Sequence, residues 1–373
     1  MMKEIKVIEL SSVLAGPSVG QFFAEIGAEV IKVENPNSGG DVTRSWISDG
    51  EICVNTISAY FSAVNWGKKS ISLDLKNQED LKTLYKLIAQ SDVIIASFKP
   101  GDDVKLGVDY ATVIKHKPDI IYGHITGYGE EDNRVGYDAV IQAESGFMSI
   151  NGEKKSEPLK MPVALIDILA AHHLKEGLLL ALLNKMQTGE GDYVPVSLLD
   201  AAISSLANQG ANWLVADKIP EQSGNEHPNI APYGDVFETL DGVKIILAVG
   251  NDKQFKNLCE VLDTKLFSDD QFSSNSLRVK NRKFLHGKIS EKIVQVNSKQ
   301  FLLDLNDKKI PAGLIKNIKE VLEATPASKF HSHEHLKGIK NFFGLPNNFK
   351  KIELSAPPKL GEHTSEILSG LYK

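Results

Sequence analysis

The chain has 373 residues, of which 42% are hydrophobic and 24% charged, a length that predicts two domains or one large domain with an appendage. Its formal net charge of −6, with acidic and basic residues interspersed, argues against nucleic acid as a partner. Two cysteines give no disulfide framework, and the N-terminal MMKEIKVIEL has no signal-peptide pattern, so we expect a cytoplasmic protein. The most apolar window, residues 161–183, is interrupted by charged side chains, which predicts a buried helix and no membrane span.

The first third of the chain alternates strand and helix patterns. Two strands joined by a helix within about thirty residues form the βαβ unit of a parallel sheet. Gly27 is a typical residue to end the first helix, and Pro17 is tolerated in its first turn. The pattern therefore predicts an α/β fold, with strands over 5–10 and 28–34 around a helix over 17–26, a helix over 78–90, and strands over 92–98 and 120–126.

The remaining chain predicts a second, smaller domain. A Pro- and Asn-containing link over 219–232 marks the boundary, and Asp241-Gly242 between two alternating segments predicts a hairpin. The expected organisation is a large domain in residues 1–220, a small α+β domain in 221–330 and a C-terminal return to the large domain in 331–373. The helices predicted after the first sheet are 168–188 and 198–215, with a strand over 194–197 between them, and the small domain contributes helices over 252–262 and 275–296.

Asp167 is the only acidic residue in the apolar run 163–171. An ionised carboxylate in apolar surroundings costs several kcal/mol or becomes protonated, so such a residue needs an explanation. It could cap or begin the long apolar helix that follows. It could also be a nucleophile that is reactive because it is poorly solvated. The local pattern leaves both possibilities open.

Several common site motifs do not occur in this sequence. No dinucleotide-binding fingerprint, P-loop lysine, G-x-S-x-G elbow or H-E-x-x-H motif is found. His331, His333 and His335 would lie on one face of a strand, which is a spacing that metal ligands use. They stand in a polar region without a further Cys/His cluster nearby, so we predict a solvated loop and no metal site.

Short sequence blocks follow one another along the whole chain. Residues 13–34 read VLAGPSVGQFFAEIGAEVIKVE, the segment Gly136-Tyr137-Asp138 precedes Asp167, and residues 188–192 and 361–364 read TGEGD and GEHT. In this order and spacing, the blocks resemble those of the class III coenzyme A transferases, the CaiB/BaiF family, from end to end. The resemblance implies a Rossmann-like parallel-sheet large domain, a smaller α+β domain and two chains threaded through each other as an interlocked homodimer.

The resemblance also implies a reaction and a site. Asp167 aligns with the family's catalytic aspartate, which forms a mixed anhydride and then an aspartyl-CoA thioester with an acyl-CoA substrate. Acyl-CoA and a small carboxylic acid are then the partners, with no permanently bound cofactor. The residues expected to contact substrate or CoA are Leu14, Ala15, Gly16, Pro17, Leu73, Lys76, Phe98, Lys105, Leu106, Tyr137 and Asp138.

Departures from the family pattern narrow the prediction. Leu14 stands where members that use formate and oxalate carry Gln, and the residues after 198–215 lack a glycine-rich lid loop, which argues against oxalate as acceptor. Asn35 replaces an Arg of the family, which removes one expected phosphate contact.

The alternative function is that of a 2-methylacyl-CoA racemase, which shares the fold and the aspartate. That branch carries a second base, a His, where this chain has Tyr137. The reference pKa of Tyr, about 10, suits it poorly to removing a Cα proton near neutral pH. We therefore predict an acyl-CoA:carboxylate CoA-transferase.

Overall fold

A computed structural model describes residues 4–53, 56–334, 336–348 and 352–371. The chain divides into two compact units. The first is formed by Met1–Met148, Lys160–Lys218 and Pro326–Lys373, and the second by Ser149–Leu159 and Ile219–Thr325.

Helices and strands are numbered here in chain order over the described residues. The strands are β1 (Lys6–Leu10), β2 (Glu29–Glu34), β3 (Lys68–Ser72), β4 (Val93–Ser97), β5 (Ile121–Thr126), β6 (Asp192–Ser197), β7 (Tyr233–Glu238), β8 (Lys244–Ala248), β9 (Ala312–Leu314), β10 (Phe330–His333) and β11 (Leu336–Ile339). The helices are α1 (Ala15–Glu25), α2 (Ala59–Ser62), α3 (Gln78–Ala89), α4 (Asp102–Leu106), α5 (Tyr110–Val113), α6 (Asp138–Glu144), α7 (Phe147–Ile150), α8 (Leu165–Thr188), α9 (Leu198–Ser204), α10 (Ala207–Ala216), α11 (Asp252–Val261), α12 (Asn275–Lys280), α13 (Arg282–Ile293), α14 (Ser298–Asp307), α15 (Ile318–Ala324) and α16 (Thr364–Leu371).

The first unit is built on a six-stranded parallel sheet with the order β3-β2-β1-β4-β5-β6. Alternate residues of each strand point to opposite faces, so neighbours such as Val7 and Ile8 belong to different hydrophobic clusters. Helices α1 and α8 contribute to one cluster, and α3 and α16 contribute to the other. The predicted α/β fold with a parallel sheet is confirmed.

The second unit has its own core. Its three-stranded antiparallel sheet has the order β7-β8-β9, and the hairpin predicted around Asp241-Gly242 joins β7 to β8. Gly242 has a φ of +74°, a left-handed conformation that glycine adopts at low cost in such turns. Helices α11, α13 and α14 pack Phe255, Ile289 and Phe301 into the hydrophobic cluster of this sheet.

Some predicted elements have different bounds in the structure. The helix predicted over 168–188 begins earlier, at Leu165, so Asp167 lies in its first turn. The helix predicted over 198–215 is two helices, because Ala207 has a φ of +47°, which interrupts the helical path. The helix predicted over 275–296 is also two, separated at Asn281, whose backbone leaves the helical conformation. Strand β3 was not predicted because its sequence, KKSIS, contains two lysines.

Candidate active site

A cavity of about 260 Å³ lies where strands β1, β4 and β5 end. Ligands of open α/β sheets bind at this carboxyl edge, because the loops that follow parallel strands meet there. Asp167 lines this cavity together with five of the predicted contact residues, namely Leu14, Ala15, Phe98, Tyr137 and Asp138.

A second cavity, of about 200 Å³, adjoins the first, because Ser12, Ser97 and Phe98 line both. Its lining includes Leu73 and Leu106, which were predicted to contact CoA. The sequence resemblance therefore identified residues that the fold brings into two neighbouring cavities.

Four of the predicted residues lie outside the lining of these two cavities. Gly16 and Pro17 are buried within α1. Lys76 is exposed, and exposed Lys105 forms an ion pair with Asp102 at 2.9 Å. The two cavities are thus lined by seven of the eleven predicted residues, and Gly16, Pro17 and the two lysines are not among them.

Asp167 is buried at the wall of the first cavity and is 8% exposed. The N-cap position of α8 is Ala164, so Asp167 is not the N-cap residue. The N-cap side chain forms no capping hydrogen bond. Among the described residues, no donor forms a hydrogen bond with the Asp167 carboxylate. Burial, and then the charge of Asp138, raise the pKa of Asp167 to about 7. A carboxylate kept this basic and without a partner is available for reaction with a ligand.

The Asp138 carboxylate, in contrast, is held on both oxygens. The Ile166 N–H donates to Asp138 Oδ1 at 2.7 Å, and the Gln142 side-chain amide donates to Oδ2, also at 2.7 Å. Tyr137 is 60% exposed and directly precedes α6. The two acidic residues of the cavity therefore have different surroundings. Asp138 accepts a hydrogen bond on each oxygen, whereas Asp167 accepts none from the residues that the structure describes.

The loop between β1 and α1 forms another wall of the cavity. Val13 has a φ of +73°, which is uncommon and costly for a β-branched residue. Its N–H donates to Asp41 Oδ1 at 3.3 Å, and Lys32 Nζ donates to the Ser11 carbonyl at 2.8 Å. These contacts hold the loop, so that the first turn of α1 begins at the cavity, where helix N–H groups lack intrahelical partners.

Below this loop lies a network of buried charges that sequence reasoning missed. Glu9 forms ion pairs with Lys32 at 2.8 Å and Lys68 at 2.7 Å, and Lys32 also pairs with Asp41 at 2.9 Å. Burial alone lowers the pKa of Lys32, but Glu9 and Asp41 outweigh it and raise that pKa. For Lys68 burial prevails and lowers the pKa to about 8, although Glu9 opposes it. The available signal was a charged residue inside each of the otherwise apolar strands VIEL and VIKV.

The prediction of a solvated loop is wrong for His331. It is buried in strand β10, stacks on Trp66 and has Nε2 2.9 Å from Glu25 Oε1, whereas His333 is exposed. His335 is outside the described residues. Over the part of the chain that is described, no three His, Cys, Asp or Glu side chains are gathered for a metal, and no helix is both long and apolar enough to cross a membrane.

Comparisons with known proteins cover nearly the whole chain. The family model described as CoA-transferase family III matches residues 2–364. The chain is 38% identical to succinate–glutarate CoA-transferase of Agrobacterium fabrum, over 98% of this chain and 94% of that protein. It is 35% identical to succinyl-CoA:glutarate CoA-transferase of Homo sapiens, over 100% of this chain and 86% of that protein. It is 33% identical to succinyl-CoA:mesaconate CoA-transferase of Haloarcula hispanica, over 98% of this chain and 95% of that protein.

Solved structures agree with these matches. A crystal structure of a CaiB/BaiF family protein from Brucella suis superposes with a TM-score of 0.85 at 36% identity, covering 99% of both chains. Because the family model and the relatives extend along almost the entire sequence, the resemblance drawn from its blocks is confirmed, and the chain belongs to CoA-transferase family III.

Proposed function

We propose that Asp167 is the nucleophile with which this CoA-transferase moves coenzyme A from an acyl-CoA donor to a carboxylic acid. The observation that carries the proposal is a buried carboxylate at the cavity wall that forms no hydrogen bond with the described residues and has a pKa raised to about 7. An ordinary structural carboxylate at this depth would be paired or hydrogen-bonded.

The first half of the reaction moves CoA onto the enzyme. An Asp167 oxygen forms a bond to the thioester carbonyl carbon of the donor, and the carbon–sulfur bond breaks to release CoA thiolate. The thiolate then attacks the Asp167 carbonyl of the mixed anhydride. The donor acid leaves as a carboxylate, and Asp167 carries CoA as a thioester.

The second half repeats these steps with the acceptor. Its carboxylate attacks the Asp167 thioester, thiolate leaves, and thiolate attack on the acceptor carbonyl restores the free Asp167 carboxylate. Each step exchanges one acyl bond for another, so no water or proton is consumed. Anhydride and thioester both hydrolyse readily, and the 8% exposure of Asp167 limits access of bulk water.

We further propose small dicarboxylic acids as the acids exchanged. Relatives of this chain are named for succinate, glutarate and mesaconate as acids or acyl-CoA partners. The cavity lining includes the cations Lys99 and Arg134, and Arg134 stacks on Tyr128 with its guanidinium carbon 3.8 Å from the ring centre. A cation at the cavity wall can pair with the second carboxylate of such an acid in exchange for its present partner, which is Asp102 for Lys99, and Asp132 and Glu144 for Arg134.

The racemase alternative is not favoured, since the named relatives are CoA-transferases. We expect transfer of CoA from succinyl-CoA to glutarate. We expect no exchange of the Cα hydrogen of a 2-methylacyl-CoA, because the tyrosine side chain at position 137 is a poor base for removing that proton. Mass spectrometry of both reactions in deuterated water tests this. Rapid deuterium uptake without transfer to any acid in a dicarboxylate and monocarboxylate panel would reject the proposal.

An interlocked homodimer remains a proposal, supported by apolar side chains that one chain leaves exposed. Helix α8 exposes Leu180, Leu183 and Met186, and α10 exposes Leu214 and Val215. Such a surface on a water-soluble enzyme indicates a protein contact. We expect negligible subunit exchange over hours between ¹⁵N-labelled and unlabelled folded protein, as measured by native mass spectrometry. A monomer at micromolar concentration, or rapid formation of the mixed dimer, would contradict interlocking.

A further inference from the structure

We infer that Asp138 is a positioning residue, which caps the helix that carries Asp167 and fixes a negative charge beside it. The inference rests on the proposed role of Asp167 as nucleophile. It gives Asp138 a function different from the substrate contact expected from its sequence block.

The cap is supplied from outside the helix. Ala164, at the N-cap of α8, has no side-chain oxygen that could accept a hydrogen bond from the first turn. The Ile166 N–H in that turn instead donates to Asp138 Oδ1 at 2.7 Å, although Asp138 lies 28 residues earlier in the chain. Since Asp167 directly follows Ile166, this bond fixes the backbone from which the nucleophile projects.

The second oxygen of Asp138 is fixed by a buried amide. Gln142 is 1% exposed, and its Nε2 donates to Asp138 Oδ2 at 2.7 Å. Gln142 Oε1 accepts a hydrogen bond from the Met161 N–H, also at 2.7 Å. The carboxylate of Asp138 therefore cannot rotate without breaking a bond to the helix or to Gln142.

The fixed carboxylate also has an electrostatic effect on the nucleophile. Burial is the main cause of the raised pKa of Asp167, and Asp138 is the second. A more basic carboxylate attacks a thioester faster once it is ionised. The other titratable or charged groups that line the cavity or interact with Asp167 are Tyr60, Lys99, Arg134 and Tyr137.

The pH profiles of two variants separate the effect of the Asp138 charge from the effect of its hydrogen bonds. Asp138→Asn removes the charge and keeps an oxygen that can accept from Ile166, while its amide nitrogen, which is a donor, loses the hydrogen bond from Gln142 Nε2. Because the pKa of Asp167 then falls, we expect the acidic limb of kcat/KM for transfer from succinyl-CoA to move to lower pH. Gln142→Met keeps the charge but releases Asp138. We expect it to lower kcat on the order of tenfold to a hundredfold, with the acidic limb unmoved.

Asp109→Asn is the matched control, because Asp109 also caps a helix by accepting the Thr112 N–H, at 3.0 Å. It should leave both kcat and the pH profile unchanged, and circular dichroism should show that all three variants are folded. An acidic limb of Asp138→Asn that coincides with the wild type would overturn the inference, as would full kcat in Gln142→Met. Loss of the inference leaves the proposed function standing if wild-type transfer depends on Asp167, whereas transfer that survives Asp167→Ala rejects the nucleophile itself.

Discussion

Replacing Asp167 by Asn or Ala is expected to lower CoA transfer by on the order of 10⁴-fold or more, because no other group then carries the acyl and CoA intermediates. The rate of transfer from succinyl-CoA to glutarate, measured by mass spectrometry, tests this. Glu176→Gln is the matched control, since Glu176 is an exposed carboxylate on the same helix. It should transfer at the wild-type rate. Substantial turnover by Asp167→Ala would show that the nucleophile is elsewhere.

Asp167→Asn should also raise the free energy of unfolding at alkaline pH. The folded-state pKa of Asp167 is raised from 3.8 to about 7, so the folded protein retains a proton that the unfolded chain releases between these values. The wild type therefore loses stability as pH rises through this range, and the full penalty is present above pH 7. Asp167→Asn removes it, and its gain in the free energy of unfolding at pH 8 is at most about 4 kcal/mol. Urea unfolding at pH 8 and pH 4 should show this gain only at pH 8.

Isotope labelling follows the nucleophile directly. When the acceptor carboxylate attacks the Asp167 thioester, its oxygen becomes the bridging atom of the anhydride. That oxygen stays with Asp167 when thiolate attacks the acceptor carbonyl. Turnover with ¹⁸O-labelled glutarate should therefore place ¹⁸O in the Asp167 carboxylate, as detected in the peptide that contains it. Label in the peptide of another carboxylate would reassign the nucleophile.

The sequence could reveal Asp167 because a carboxylate in an apolar run is anomalous on local pattern alone. It could not reveal Asp138 as a cap, because the hydrogen bond to Ile166 joins residues 28 positions apart. For the same reason the sequence prediction began helix α8 too late, at residue 168 instead of Leu165. Leu165 and Ile166 continue the apolar run that precedes the helix, and no capping residue stands at Ala164. A cap that comes from another element gives no local signal of where the helix begins.

Tertiary partners also explain the missed strand β3 and the wrong prediction for His331. Lys68 is incompatible with a buried strand until Glu9, from β1, lies 2.7 Å from its ammonium group. His331 is polar in a polar segment, and its burial depends on Glu25 and Trp66, which are distant in sequence. Composition and periodicity identify apolar strands of a parallel sheet well, but charged residues become buried only through partners that the fold supplies.

The second large effect that we expect is on stability, from Glu9→Gln. Both Glu9 oxygens face lysines whose side chains are fully buried, Lys32 and Lys68. Gly20 of α1 lies so close that a Cβ there would overlap the Glu9 carboxylate, so this carboxylate is tightly packed against the helix. Removing one charge from such a network leaves an ammonium group uncompensated, and we expect a loss of about 3–5 kcal/mol in the free energy of unfolding.

A double-mutant cycle distinguishes this electrostatic cost from a packing defect. The network contains two lysines and two carboxylates, since Lys32 also pairs with Asp41. Glu9→Gln combined with Lys68→Met restores charge balance, because Lys32 keeps its partner. The double variant should therefore be more stable in urea than Glu9→Gln alone, a coupling that independent sites do not show. Glu79→Gln, which breaks the exposed pair with Lys82, should leave the free energy of unfolding almost unchanged, because solvent screens such a pair. If the losses from Glu9→Gln and Lys68→Met simply add, the buried charges are not coupled as the ion-pair distances indicate.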